Sequence, residues 1–145
     1  MSTNERPTAL PSSIQIGVVV KDIDKTTKFL SSIWGLDSWD IKELTYTKDD
    51  LVVGKPFKIK VAYANLGAAK LELIQPIEGK SIFSEFLTGK GEGLFNMNFH
   101  ISNYDEMMSK LEEHQSKMIL GIIKAKRYSY FKTKPGGIVV EFAEE

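Results

Sequence analysis

Apolar and polar positions along this chain change rhythm several times, and the changes come in the same order twice. Residues 14–20 (IQIGVVV) form a β-branched run with one glycine, which predicts a buried strand. Ile23, Thr27, Leu30 and Trp34 then recur at helical spacing, with Asp22 or Asp24 placed to cap the helix and Gly35 to end it. Residues 36–56 carry no clear period, although they hold Trp39, Ile41 and a polar tip at Lys48, Asp49 and Asp50. Period two returns at 57–65 (FKIKVAYAN) and, after a turn at Gly67, at 70–75 (KLELIQ) up to Pro76. The predicted order is β-α-β-β-β.

The second half repeats it. Residues 94–101 (LFNMNFHI) read as a strand, and Asn103 with Glu106 has capping-box spacing before a helix carrying Met107, Met108 and Leu111. Residues 118–123, 127–131 and 137–142 supply three more strands, the last two separated by a Lys-Pro-Gly-Gly turn. Superposing the halves at one constant offset places Ile14 on Phe95, Gln15 on Asn96, Asp24 on Asp105 and Leu30 on Leu111. A smaller offset places Glu72 on Glu141, as expected if the second unit has shorter connections. Two copies of one supersecondary unit bury their sheets most economically by pairing about a pseudo-twofold axis. The reading is an α+β protein of two paired βαβββ modules forming a cupped mixed sheet. It has a disordered leader at 1–12 and a single domain at 13–145, with modules at 13–76 and 94–143 and a linker at 77–93.

Composition narrows the function classes. In 145 residues, 19 Lys+Arg balance 19 Asp+Glu, which argues against a nucleic-acid binder, whose affinity would come from excess cations. Cysteine is absent, so disulfide frameworks, zinc ribbons and thiol nucleophiles are excluded. The apolar runs fall far short of the ~20 residues that span a bilayer, and the start lacks a signal-peptide pattern. A cytoplasmic protein without a membrane partner is expected.

The repeat also singles out chemistry. Gln15 and Asn96 hold equivalent places on the two first strands, and Glu72 and Glu141 on the two last. Each glutamate stands between apolar neighbours, so either both point to water on a half-exposed sheet or all four groups converge on the axis. A convergent set is rich in oxygen, and two facing buried carboxylates need a compensating charge. A divalent cation supplies it, with Mg²⁺, Mn²⁺ or Ca²⁺ favoured over zinc and Co²⁺ or Ni²⁺ also admitted. His100 shares the parity of Asn96 but lies ~13 Å further along, which makes it a cavity-lining or core residue rather than a ligand of the same ion. Between Lys117 and Lys134 run six cations, including Lys126 and Arg127, with no acid among them. That stretch is either a solvated basic face or a phosphate site. The GKGEG run at 89–93 lacks the Walker Lys-Ser/Thr pair and reads as linker.

The segments IQIGVVVKDIDKTTKFL, LGAAKLELIQP, FNMNFHIS and PGGIVVEF resemble, in order and spacing, the vicinal oxygen chelate superfamily, which has the glyoxalase-like fold. The linker SIFSEFLTGKGEGL resembles that of its methylmalonyl-CoA epimerase subgroup. The resemblance implies metal ligands at Gln15, Glu72, Asn96 and Glu141, with amides at both positions where the family usually has His. It also implies two glutamates acting on opposite faces of an acidic α-carbon, Glu141 being one and Glu43 the candidate for the other. An isomerase acting on an acyl-CoA is therefore expected, with His100, Lys126 and Arg127 as substrate contacts and a homodimer as the assembly. The alternatives are a non-catalytic small-molecule binder of the bleomycin-resistance type and a glyoxalase-like lyase.

Overall fold

The computed structural model describes residues 10, 11 and 13–145, so nearly all of the leader expected at 1–12 lies outside the described residues. The first half gives β1 (Ile14–Val19), α1 (Ile23–Trp34), β2 (Asp40–Tyr46), β3 (Leu51–Val53), β4 (Phe57–Leu66) and β5 (Ala69–Glu78). α2 (Ile82–Lys90) follows, then β6 (Gly93–Ile101), α3 (Tyr104–Glu113), β7 (Met118–Lys124), β8 (Lys126–Lys132) and β9 (Val139–Glu144). Asp22 caps α1 by accepting from the Lys25 amide, and Gly35 closes it in the left-handed conformation. One local expectation fails. Asn103 makes no side-chain cap bond to α3: its backbone (φ −103°, ψ 45°) is not in the extended conformation typical of a capping residue, and Glu106 pairs with Lys110 at 3.3 Å. The expected linker contains α2, whose start is fixed by a reciprocal box between Ser81 and Ser84.

All nine strands join one sheet in the order β2-β4-β5-β1-β6-β9-β8-β7-β3. β1 and β6 run antiparallel at its centre, and each is flanked by a parallel partner, β5 and β9 respectively. The order is therefore symmetric about the β1–β6 seam, apart from β3. That short strand leaves the first module and covers the far edge, β7. A 3-10 turn at Lys48–Asp50 joins β2 to β3, so the two ends of the sheet are drawn together. Lys124 of β7 ties them further, donating to the Thr45 carbonyl at 2.7 Å and lying 3.8 Å from Asp50. The result is a curled half-barrel.

Period two decides what lies on each side. Leu71 and Leu73 pack with Ile23, Leu30 and Ala62 beneath α1, and Val140 and Phe142 pack with Tyr104 and Met107 beneath α3. The alternate residues of the same strands face the concave side. There Val19, Ile59, Ile74 and Ile122 surround Phe83 of α2, which is 1% exposed. α2 thus plugs one end of the half-barrel and leaves the rest of the concave face open. No helix among the described residues is long and apolar enough to cross a membrane.

Candidate functional site

The open part of the concave face is a cavity of about 320 Å³, at the small end of the range of ligand sites. Glu72 and Glu141 lie in its wall, each 7% exposed. Their placement follows from alternation: the apolar neighbours on either side face the helices, so the carboxylates face the cup. Each has a tyrosine directly opposite on the adjoining strand, Tyr63 for Glu72 and Tyr130 for Glu141. The Tyr63 hydroxyl donates to Glu72 Oε2 at 2.9 Å, and Tyr130, opposite Glu141 in the sheet, lies close enough for Glu141 to raise its pKa. The module repeat has thus produced two matched Tyr–Glu pairs. Burial raises the pKa of both carboxyls, and Glu72 raises that of Glu141 further, while Tyr63 and Lys42 partly restrain Glu72. A cup without a cation therefore holds a proton on this pair near neutral pH.

The amides are arranged differently from the repeat alignment. Across the seam Gln15 is opposite Asn98, whose Nδ2 donates to Gln15 Oε1 at 2.7 Å, and both line the cavity. Asn96 is two residues away, opposite Gly17, and does not line it. Its carboxamide lies over Gly17, with Oδ1 only 1.9 Å from where a Cβ would stand. Residues 96, 98 and 100 share a strand face, so parity alone could have proposed Asn98; the antiparallel register that selects it is a tertiary fact.

The other expected site residues scatter. His100 lines the cavity, and burial together with Lys126 and Lys70 lowers its pKa. Lys126 is exposed beside it. Arg127 is engaged elsewhere, with Nη2 2.7 Å from Glu144, Nη1 2.8 Å from Asp105 and its guanidinium 4.3 Å from the centre of the Tyr104 ring. Glu43 alternates with the cavity-lining Lys42 and Leu44, does not line the cavity itself, and pairs with Lys58 at 3.0 Å. Sequence reasoning missed Lys42, Tyr46 and Asp40 because 36–56 showed no clear period, and it did not single out Tyr63, Tyr128 or Tyr130 because aromatic residues in strands usually signal core.

Among the described residues no three His, Cys, Asp or Glu side chains are grouped to hold a metal. The donors are oxygens instead. Glu72 Oε1 and Asn98 Oδ1, both on cavity-lining residues, are buried without a hydrogen-bond partner; Asn96 Oδ1 is also unpartnered but lies over Gly17, away from the cup. Orphaned acceptors beside two carboxylates that resist ionisation fit a hard divalent cation better than zinc.

Residues 14–131 match the family described as the glyoxalase/bleomycin resistance protein/dioxygenase superfamily. The chain belongs to that superfamily. Among curated proteins, this superfamily member is 28% identical over 104 residues to the uncharacterized protein YqjC of Bacillus subtilis (strain 168), covering 72% of this chain and 67% of that one. Its fold is similar to methylmalonyl-CoA epimerase from Mycobacterium tuberculosis, with TM-score 0.73, 19% identity, and coverage of 97% of this chain and 93% of that chain. A variant of Streptomyces coelicolor methylmalonyl-CoA epimerase, in complex with 2-nitronate-propionyl-CoA, gives TM-score 0.72 at 17% identity, covering 94% and 98%. The hypothetical protein BH1468 from Bacillus halodurans C-125 gives 0.66 at 22%, covering 90% and 91%. At these identities the solved structures establish a shared glyoxalase-like fold.

Proposed function

We propose that the cup is a proton-transfer site for a small anionic carbonyl compound, of which a methylmalonyl-type acyl-CoA thioester is the leading example, and that the chain acts as an isomerase. The observation that carries this reading is the pair of buried carboxylates, Glu72 and Glu141, each opposite its own tyrosine in the wall of one cavity. A lone exposed carboxylate is a weak base at neutral pH; burial brings these groups toward the range where accepting and returning a proton are both accessible. Glu141 takes the proton from the carbon next to the carbonyl and the C–H electrons pass into an enolate; inversion then requires a proton delivered to the opposite face by a second donor or by water, while Glu141 gives its own proton to solvent. Lys70 and His100 line the cavity and Lys126 lies near, so the anionic part of the substrate is received there. Glu72, Glu141 and the amide oxygens of Gln15 and Asn98 would hold a divalent cation. When bound, that cation supplies electrophilic polarisation of the carbonyl.

The engagement of Glu43 with Lys58 favours a second reading, a binder that retains the cup without a second acid–base group on the opposite side. Wash-in of deuterium at the α-carbon of methylmalonyl-CoA separates the two. The isomerase exchanges this proton and Glu141→Gln does not; a wild type that binds the thioester without exchange is a binder.

A further inference from the structure

Four tyrosines line the cup, and they are not equivalent. Tyr63 and Tyr130 stand opposite Glu72 and Glu141 in the sheet. Tyr46, at the end of β2, and Tyr128, on β8, line the same cavity, and among the described residues neither hydroxyl has a hydrogen-bond partner. Both rings are held in place without their hydroxyls. Tyr46 packs on Phe57 with ring centres 5.0 Å apart and carries Lys124 Nζ 5.5 Å from its own centre, while Tyr128 is opposite Ile122 and Ala143 in the sheet. Burial raises the pKa of both phenols, Glu141 raises both further, and Tyr128 adds to the rise at Tyr46, which places the two rings near each other. They therefore stay protonated and remain donors. Two O–H groups carried on rings already fixed by packing, beside a carboxylate base, suit a developing oxyanion, because the rings need not rearrange as the charge forms and each hydroxyl is free to turn toward it.

We infer that Tyr46 and Tyr128 are the oxyanion donors of the cup, hydrogen-bonding the carbonyl oxygen of a bound substrate as it becomes an enolate. This rests on reading the cup as a proton-transfer site. In that step the α C–H bond breaks, Glu141 gains the proton, the electron pair moves into the C=C bond of the enolate, and the negative charge goes to the oxygen facing the phenols. Neither phenol gives up its proton.

The test compares the full-length wild type with Tyr46→Phe, Tyr128→Phe and the double variant, keeping both rings and hence their packing. Affinities are measured for 2-nitronate-propionyl-CoA, an enolate mimic, and for propionyl-CoA, whose acyl group carries no charge, alongside deuterium exchange on methylmalonyl-CoA. Each lost hydroxyl is expected to weaken the nitronate by ~10-fold or more and to leave propionyl-CoA within about twofold, since a hydrogen bond to a charged acceptor is the stronger kind. Equal losses for both ligands, or none, overturn the inference. Selective nitronate loss without any exchange by the wild type keeps the phenol donors and removes the isomerase reading. Exchange that survives in the double variant with nitronate affinity unchanged removes the donors and keeps the isomerase. A wild type that neither binds the nitronate nor exchanges removes both.

Discussion

Gly17→Ala tests where Asn96 points, and with it which amide belongs to the cup. A Cβ at position 17 would lie 1.9 Å from Asn96 Oδ1 and 2.9 Å from its Cγ, whereas the next neighbour, Ile74 Cδ1, is at an ordinary 3.4 Å. The clash is thus with one side chain. Asn96 is 5% exposed, so it cannot swing into solvent without disturbing the β1–β6 seam. Overpacking of this kind costs roughly 1–3 kcal/mol. For a chain of this size that corresponds to a fall in melting temperature of about 3–10 °C. Asn96→Ala alone removes a buried oxygen that has no partner and is expected to change stability by about 1 kcal/mol or less. In the double variant the space is free again, so most of the loss returns, and a double-mutant cycle from thermal melts reads a coupling of ~1–3 kcal/mol. If Gly17→Ala melts like wild type, or if Asn96→Ala does not rescue it, Asn96 is not the group over Gly17, and its assignment away from the cavity fails.

Two further predictions concern charge. Glu72 and Glu141 have folded-state pKa values raised from 4.5 to about 7 and about 8, so the folded protein holds protons that the unfolded chain releases. With chelator present, stability is then greatest below about pH 4.5 as far as this pair is concerned and falls as pH rises to about 8. Thermal melts across that window should slope downward in wild type and flatten in Glu72→Gln/Glu141→Gln; parallel curves refute the buried pair. Arg127→Ala, which breaks its contacts with Glu144 and Asp105, should lower the melting temperature while leaving propionyl-CoA affinity unchanged by isothermal titration, because Arg127 braces β8 rather than lining the cup.

Much of this was legible in the residues. The period-two runs at 57–65 and 70–75 and the helical run ending at Gly35 fall on β4, β5 and α1, and the repeat anticipated the symmetric sheet. Glu72 and Glu141 were visible because a charged residue inside an apolar strand is conspicuous. What was not legible depends on register and on long-range pairing. Nothing in 36–56 reveals that β3 would cross to the edge of the second module. The choice of Asn98 over Asn96 is made by the residue each faces across the seam. Glu43 and Lys42 differ by one position and therefore by a whole face of the sheet, and Arg127 is fixed by Asp105 and Glu144, neither of which is its sequence neighbour.

The pair of glutamates carries the proposed chemistry, and their side-chain carboxyl ¹³C resonances, followed by NMR across pH in chelator, test it most directly. Two carboxyl signals titrating well above 4.5, with the Glu141 signal shifted by Glu72→Gln, are the predicted result. Both signals titrating near 4.5 and independently of each other would contradict the convergent, buried pair.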